Sequence, residues 1–231
     1  MNNVHIYKYT NIAHVLSSVM VANSQNNSQM RRKPQQARSQ ERVDRILNVA
    51  EQMFIETGYQ ATTTRAIASR AEIPVGSLYQ FFPDKAAILK ALAAKYIEQE
   101  KQLFADLHTE EAIALPLSVY VETVLDTYDR FYTANPGYRI VFEQLFKATP
   151  EIPISMYEEM EIPLTAELQK FLARRKPSLY PAQCELIATI SVEVVGTLQW
   201  LSLHRDEVFR TKVVGETKKL ILSYLKLYLD E

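Results

Sequence analysis

The chain has 231 residues, of which 47% are hydrophobic and 23% charged, with a mean hydropathy of −0.16 and a net charge of −1. This composition is typical of a soluble globular protein, and no apolar run approaches the roughly 20 residues that span a bilayer, which excludes an integral membrane protein. A single cysteine, Cys184, excludes a disulfide framework, and four scattered histidines lack metal-ligand spacing, so we expect no metal, no other cofactor and a cytoplasmic setting.

Charge is distributed unevenly along the chain. Residues 31–90 contain ten Lys/Arg against six Asp/Glu, whereas residues 91–231 contain fifteen against twenty-one. A small basic segment followed by an acidic remainder indicates a nucleic-acid contact carried by one part of the chain.

The first 30 residues are predicted to form a disordered leader, because they lack periodicity and end in a tract of Asn, Ser and Gln. A signal peptide is an alternative, although His14 and several serines interrupt its apolar stretch. Translation from Met30 is another. Residues 31–38 form a basic arm that either reaches DNA or is a solvated tail. Its basic residues are Arg31, Arg32, Lys33 and Arg38.

From Ser39 onward the apolar residues recur at helical spacing, which predicts an all-α fold. The first helix covers about 18 residues, with Ser39 as its N-cap and Gly58 as its C-terminal stop. Thr62 or Thr63 can cap a short second helix.

A third short helix and a long fourth helix follow a tight connection at residues 72–75. The third helix runs over residues 77–81 and is stopped by Pro83. Asp84 is the N-cap of the fourth helix, which reaches about Leu107.

Two short helices joined by a tight turn and followed by a long helix are typical of a helix-turn-helix DNA-binding unit. In the third helix, Leu78, Phe81 and Phe82 are expected to face the core and hold the opposite face in position. The residues left available to DNA are Val75, Gly76, Ser77, Tyr79 and Gln80.

The segment TTTRAIASRAEIPVGSLYQFFPDKAAIL, with ILNVAEQMFIETGY before it, resembles the TetR family of bacterial transcriptional regulators over residues 39–94. The resemblance implies a helix-turn-helix domain at 39–85, a linking fourth helix at 84–107 and a helical effector-binding and dimerisation domain at 108–231. The chain departs from the family pattern at Glu72, where a glycine is usual, and at Pro74, where a Ser or Thr cap is usual.

The resemblance also implies roles for residues outside the third helix. The threonines before the second helix would lie against the phosphate backbone, as would Tyr79, and Lys85 with the amides after Asp84 would anchor the fourth helix to DNA. The predicted DNA-binding residues are therefore Thr62, Thr63, Thr64, Arg65, Val75, Gly76, Ser77, Tyr79, Gln80 and Lys85.

The remainder of the chain is also predicted to be helical. The expected helices lie at 116–134, 138–148, 154–175 with a break or kink at Pro163, 181–204 and 206–229. The last two carry more apolar surface than one face needs, with small residues interleaved, and the resemblance implies that they form a homodimer interface. The alternative is that they are core helices of a monomer.

Aromatic and polar side chains in this part suggest either an ordinary core or an effector pocket. The candidate pocket residues are His108, Tyr128, Phe131, Tyr132, Phe142, Phe146, Gln199 and Trp200. The ligand would be medium-sized and largely apolar or aromatic. Cys184 is expected to be a small buried hydrophobe.

These features predict a ligand-responsive, sequence-specific regulator, a repressor released from a palindromic double-stranded DNA operator by a small effector, in the nucleoid of a bacterial cytoplasm. The sequence leaves open whether the regulator activates transcription instead of repressing it. We expect no enzymatic activity, because the sequence has no catalytic motif, and no membrane partner. A helical protein-interaction module without DNA recognition is the alternative.

Overall fold

The computed structural model describes residues 37–148 and 153–229, and the described residues are helical with no strand. The predicted all-α fold is confirmed. The N-terminal helices are α1 (Ala37–Thr57), α2 (Thr64–Arg70), α3 (Val75–Phe81) and α4 (Lys85–Leu107). The following helices are α5 (Glu110–Ile113), α6 (Leu117–Ala134), α7 (Gly137–Ala148), α8 (Pro153–Arg175), α9 (Pro181–Leu203) and α10 (Glu207–Leu229).

Helix α1 supplies one wall of the N-terminal core. Five of its apolar residues recur at i, i+3, i+4, i+7 and i+11, and these five are buried. They are Val43, Ile46, Leu47, Ala50 and Phe54. The helix begins at Ala37, so Ser39 lies inside it and the predicted N-cap is wrong. Gly58 ends the helix as predicted, with φ of 83° and its amide donating to the Phe54 carbonyl.

Helix α2 is short and closed at both ends by local hydrogen bonds. Thr63 is its N-cap, and the Thr63 hydroxyl accepts a hydrogen bond from the Ala66 amide at 3.1 Å. At the other end, the Glu72 amide donates to Ser69 and the Ile73 amide to Ala68, which is the Schellman pattern.

Glu72 occupies the left-handed position of this motif, with φ of 54°. Glycine is favoured there because a Cβ costs free energy in this conformation. The family preference for glycine at this position therefore has a local backbone cause, and the chain keeps the turn despite having glutamate.

Helices α3 and α4 are set by Pro74 and Asp84. Pro74 lies just before α3, where a missing amide proton costs nothing. The Asp84 carboxylate accepts from the Ala87 amide at 2.7 Å, which confirms the predicted N-cap of α4. Leu78, Phe81 and Phe82 are all buried, as predicted.

The helical body packs around α4 and α9. Helix α4 contacts α1, α7 and α8, while α9 contacts α8 and α10, and α10 returns to α6. The short helix α5 was not predicted. Helix α8 is continuous from Pro153 to Arg175, so no break occurs at Pro163.

Helix α9 is apolar but poorly covered. Its most apolar 18-residue window has a mean hydropathy of 1.5, and only 28% of that window is buried. By length and composition alone it passes the test for a membrane span, a test that core and interface helices of soluble proteins also pass. Cys184 on this helix is buried, as predicted.

Candidate nucleic-acid interface and buried glutamate cluster

The outer face of α3 is open. Gly76, Tyr79 and Gln80 are exposed, with Tyr79 at 38%, while Ser77 is half-buried. A Cβ added to Gly76 would meet nothing within 4 Å, so the space over this turn is free. Val75 differs from the rest because it is half-buried and packs against the core.

A hydrogen bond joins the two helices of the helix-turn-helix unit. The hydroxyls of Thr64 and Tyr79 lie 2.9 Å apart, so the first residue of α2 fixes the tip of the Tyr79 side chain. Thr63 and Arg65 beside it are exposed. Thr64, Arg65, Tyr79 and Gln80 therefore belong to one continuous polar surface suited to a phosphate backbone.

Thr62 does not belong to that surface. Its side chain is 1% exposed, and its hydroxyl donates to the Gly58 carbonyl at 2.8 Å and lies 3.1 Å from the Thr57 hydroxyl. The prediction that this side chain contacts DNA is wrong, because a hydroxyl so enclosed cannot reach a phosphate. Thr62 instead closes the loop between α1 and α2.

Lys85 also serves that loop. Its ammonium donates to the carbonyls of Tyr59 at 2.6 Å, Thr62 at 2.7 Å and Gln60 at 3.3 Å, and it lies 4.3 Å from the centre of the Tyr59 ring. Partial burial lowers the pKa of this ammonium. An ammonium has three protons, and all three have acceptors within the chain, so the predicted phosphate contact is not what this geometry supports.

Glu72 and Arg70 do not pair, although both are exposed near the turn. Arg70 binds Glu56 on α1 through two hydrogen bonds, one of them 2.8 Å between Nη2 and Oε1, and this pairing lowers the pKa of Glu56. Glu72 is exposed to solvent.

The residues predicted to line an effector pocket separate into three groups. The first surrounds Glu100 of α4, which is 5% exposed. Glu100 accepts hydrogen bonds from the hydroxyls of Tyr132 at 2.5 Å and Tyr138 at 3.3 Å. The glutamate cluster consists of Glu100 with Tyr128, Phe131, Tyr132, Tyr138 and Phe142.

Burial controls the ionisation of the glutamate cluster. Loss of solvation raises the pKa of Glu100 to about 7, although the two tyrosine hydrogen bonds favour its charged form. Burial likewise raises the pKa values of Tyr128, Tyr132 and Tyr138 well above their usual range. The Tyr128 hydroxyl is buried and has no hydrogen-bond partner among the described residues. The cluster therefore holds an acid that titrates near neutrality and a hydroxyl that can accept a partner.

His108 lies in a second group. Its ring stacks on Phe104 at 3.9 Å between centroids, and its Nδ1 donates to the Phe104 carbonyl at 2.6 Å. In the neutral ring its Nε2 therefore accepts a hydrogen bond from the Tyr120 hydroxyl at 2.8 Å. Burial lowers the pKa of His108 to about 4, so the ring is neutral at neutral pH. Phe171 closes this group against Tyr120.

Gln199 and Trp200 form the third group on α9. The Gln199 Oε1 atom is buried and has no hydrogen-bond partner among the described residues. Trp200 packs against His204, whose Nε2 lies 2.9 Å from the Glu143 carboxylate. The side chain of Phe146 and the arm residues Arg31, Arg32 and Lys33 lie outside the described residues.

Sequence reasoning missed Glu100, although a signal was present. Glu100 lies one turn after Tyr96 and one turn before Phe104, on the buried stripe of α4. A carboxylate on an otherwise apolar helix face is the kind of residue that burial forces into a hydrogen-bonded cluster.

A groove of about 350 Å³ lies elsewhere, between α8 and α9. Its lining residues are Ala166, Gln169, Lys170, Ala173, Leu179, Pro181 and Cys184. None of them is a predicted pocket residue, so this groove and the glutamate cluster are separate features.

Two family descriptions match the chain. Residues 46–92 match "Bacterial regulatory proteins, tetR family", and residues 116–225 match "Tetracyclin repressor-like, C-terminal domain". The first match contains α2 and α3 in full, and the second covers α6 and α7 and most of the last three helices.

Individual relatives agree with this assignment. The HTH-type transcriptional repressor KstR of Rhodococcus jostii is 39% identical over 59 residues, which are 26% of this chain and only 28% of that protein. The HTH-type transcriptional activator FasR of Mycolicibacterium smegmatis is 24% identical over 168 residues, 71% of this chain and 74% of that protein.

The fold has solved counterparts. A TetR-family transcriptional regulator from Streptomyces coelicolor superimposes with a TM-score of 0.55 at 25% identity, covering 81% of this chain and 99% of that chain. With residues 46–92 and 116–225 matched in sequence and 81% of the chain matched in structure, the chain belongs to the TetR family of bacterial regulatory proteins.

Proposed function

We propose that this protein is a ligand-responsive, sequence-specific DNA-binding transcriptional regulator, a repressor that a small effector releases from a palindromic operator. The observation that carries the proposal is the outer face of α3. The exposed polar residues of α3 lie opposite its buried apolar face. The 2.9 Å hydrogen bond between the hydroxyls of Tyr79 and Thr64 joins α3 to α2. A major-groove reader needs this rigidity, because its contacts must keep a fixed register on the duplex.

DNA recognition is tested with a duplex selected by the full chain from a random double-stranded library. Tyr79→Ala should weaken binding to that duplex about 5- to 150-fold, the usual range for a lost DNA contact, with an unchanged melting curve. Tyr79→Phe is the matched control, since it keeps the ring and removes only the hydroxyl. Unaltered binding by Tyr79→Ala would contradict recognition through α3, and failure to select any duplex would favour a protein-interaction module instead.

A homodimer through α9 and α10 is the second part of the proposal. Large apolar side chains on these helices remain exposed in the single chain: Leu186 at 56%, Val208 at 66%, Leu220 at 50% and Leu227 at 75%. Covering them with a second copy would give a closed two-fold interface and place the two α3 helices about 34–36 Å apart, one DNA turn.

Sedimentation tests the dimer. Leu186→Glu and Leu220→Glu should each shift the chain toward a monomer, because they bury a charge in the interface. Val119→Glu is the control, since Val119 is 43% exposed and lies on α6, which is not one of the two proposed interface helices. A monomeric wild-type chain at micromolar concentration would contradict this part.

The glutamate cluster is our candidate for the effector site. Its rings suit an apolar or aromatic ligand, while Glu100 and the unpartnered Tyr128 hydroxyl suit a polar group on that ligand. His108 and the Gln199–Trp200 pair lie in other groups, so we expect that they do not contact the effector directly. Effector and operator would weaken each other reciprocally.

Thermal melting with a panel of aromatic and apolar compounds identifies the effector, and binding of the selected duplex with and without it tests the response. A compound that raises the melting temperature and lowers duplex affinity supports the proposal. A compound that binds but leaves duplex affinity unchanged would contradict it.

Activation is a second candidate, because the relative with the longest alignment described above is an activator by name. A reporter gene behind the selected duplex separates the two modes. Repression predicts more expression when the effector is added, and activation predicts a requirement for the regulator itself. In both cases the protein acts on chromosomal DNA, so we place it in the bacterial cytoplasm with the nucleoid.

A further inference from the structure

Three residues from three helices come together where the DNA-binding unit contacts the body. Glu51 on α1 belongs to the DNA-binding unit, Tyr96 lies on the linking helix α4, and Gly137 is the first residue of α7. The Tyr96 hydroxyl donates a hydrogen bond to Glu51 Oε1. Tyr96 is 2% exposed, and burial together with the glutamate raises its pKa, so the phenol remains a neutral donor.

Gly137 is required by this contact. A Cβ at position 137 would lie 2.5 Å from Glu51 Oε1, 2.7 Å from the Tyr96 hydroxyl and 2.8 Å from Glu51 Cγ. Real Cβ atoms do not approach other atoms so closely, so any larger residue would displace the Glu51 side chain and the Tyr96 hydroxyl and disturb their hydrogen bond. By contrast, a Cβ on Gly215 of α10 would meet nothing within 4 Å.

The position of the Glu51 carboxylate is also favourable electrostatically. It lies beside the first residue of the 12-residue helix α7, where the unpaired amides carry partial positive charge. At this point α1 is therefore held to α4 by a hydrogen bond, and to the first turn of α7 by a close steric fit and the helix dipole.

A short path leads from this contact to the glutamate cluster. The Tyr96 ring packs edge-on against the Tyr138 ring, with centroids 5.4 Å apart. Tyr138 follows Gly137 in the chain, and its hydroxyl donates to Glu100 Oε2 at 3.3 Å. Two carboxylates, Glu51 in the DNA-binding unit and Glu100 on the linking helix, are thus joined through two tyrosines in direct contact.

We propose that Glu51, Tyr96 and Gly137 form an interdomain latch that holds the DNA-binding unit in its DNA-competent position, and that Tyr138 connects the latch to Glu100. A ligand that takes the Glu100 or Tyr138 hydrogen bond would then move Gly137 and loosen the latch. This regulatory consequence rests on the proposed function; the positioning of α1 by the latch does not.

The latch itself is tested with Tyr96→Phe and Gly137→Ala, and Gly215→Ala is the control for a glycine-to-alanine change in a helix. Amide hydrogen exchange of the full chain should be faster over α1 and the first turn of α7 in the first two variants and unchanged in the control. Affinity for the selected duplex should fall about threefold or more in the same two variants. If Gly137→Ala exchanges like Gly215→Ala, the latch is overturned.

The connection to Glu100 is tested with a double-mutant cycle. The fold-change in duplex affinity caused by Glu100→Gln is measured in the wild type, in Tyr96→Phe and in Tyr138→Phe. If the path connects Glu100 to the latch, Glu100→Gln should change duplex affinity less in both tyrosine variants than in the wild type, because the tyrosine substitution has already interrupted the path. Fold-changes that multiply independently would overturn it, since that is how unconnected sites behave.

The two experiments also separate the latch from the proposed function. If no duplex is selected from the library, the DNA-binding proposal fails, and hydrogen exchange still decides whether the latch positions α1. If a duplex is selected but the variants bind and exchange like the wild type, the latch fails and the DNA-binding proposal stands.

Discussion

The helix-turn-helix unit and the helical body bury different chemistry. Among the described residues of α1 to α3 and their loops, the buried polar side chain is Thr62, and its hydroxyl is fully bonded. The linking helix and the body bury a larger polar set: Glu100, His108, Ser191, Gln199, Ser202 and Thr217. Four buried polar atoms without a partner among the described residues lie in the body, on Tyr128, Ser191, Gln199 and Tyr224.

This difference matches the tasks proposed for the two regions. A surface that reads DNA must be rigid, and an apolar core with satisfied polar groups has one low-energy packing. Unsatisfied buried polar atoms cost free energy, and a bound ligand can recover that cost by supplying partners. The body is therefore the region whose packing a small molecule can change.

The largest expected effect concerns Glu100. Its pKa is about 7 in the folded chain against 4.5 when unperturbed, so the folded state binds the proton more tightly. The contribution of Glu100 to stability is therefore fully present below pH 4.5 and is lost as the pH rises to 7, by about 3 kcal/mol in the free energy of unfolding. Glu100→Gln removes this contribution. The difference between wild type and variant, measured by denaturant unfolding from pH 4 to 8, should change across that window; a flat difference would contradict the buried acid.

Thr62→Val tests whether the helix-turn-helix unit depends on its single buried hydroxyl. The variant leaves the Gly58 carbonyl without its donor and should lower the free energy of unfolding by about 2 kcal/mol. Thr211→Val is the control, because the Thr211 hydroxyl is exposed and bonds only within its own helix. If Thr62→Val instead weakened DNA binding without a loss of stability, Thr62 would be a DNA contact after all.

Lys85→Met separates a structural lysine from a phosphate contact. Losing three carbonyl contacts should lower the free energy of unfolding by about 1.5 kcal/mol. Affinity for the selected duplex should fall, but the slope of log affinity against log salt should stay unchanged, since no phosphate is released. The exposed Arg65 is the comparison, and Arg65→Ala should flatten the slope by about 1. If Lys85→Met flattened the salt slope as much as Arg65→Ala, Lys85 would be shown to contact a phosphate.

The smallest effect concerns the turn between α2 and α3. Glu72→Gly relieves a side chain from φ of 54° and should raise the free energy of unfolding by about 0.5–1 kcal/mol after the extra chain entropy of glycine is counted. Glu98→Gly, in the exposed middle of α4, should destabilise by about 1 kcal/mol. Because both variants lose a carboxylate, a change in the free energy of unfolding that is positive for Glu72→Gly and negative for Glu98→Gly would show that local backbone strain, and not the loss of a charge, is the cause.

Most of the helix-turn-helix unit could be predicted from the sequence because local signals determine it. Thr63 and Asp84 are recognisable caps, Gly58 and Pro83 are stops, and apolar spacing gives the buried faces. The error at Ser39 has the same origin, since a serine within the first turn of a helix resembles a cap. Of the residues predicted to be exposed on α3, Gly76, Tyr79 and Gln80 are exposed, whereas Val75 and Ser77 are half-buried.

The sequence by itself determined the all-α fold, the division into a basic N-terminal unit and an acidic body, and the face of α3 that is free. Only the tertiary structure decided which polar residues are enclosed, because burial depends on packing between helices far apart in the chain. Thr62 and Lys85 became loop contacts, and Glu100 became the centre of a tyrosine cluster. Gly137 gained its significance from Glu51, a residue more than eighty positions away, which no local pattern could reveal.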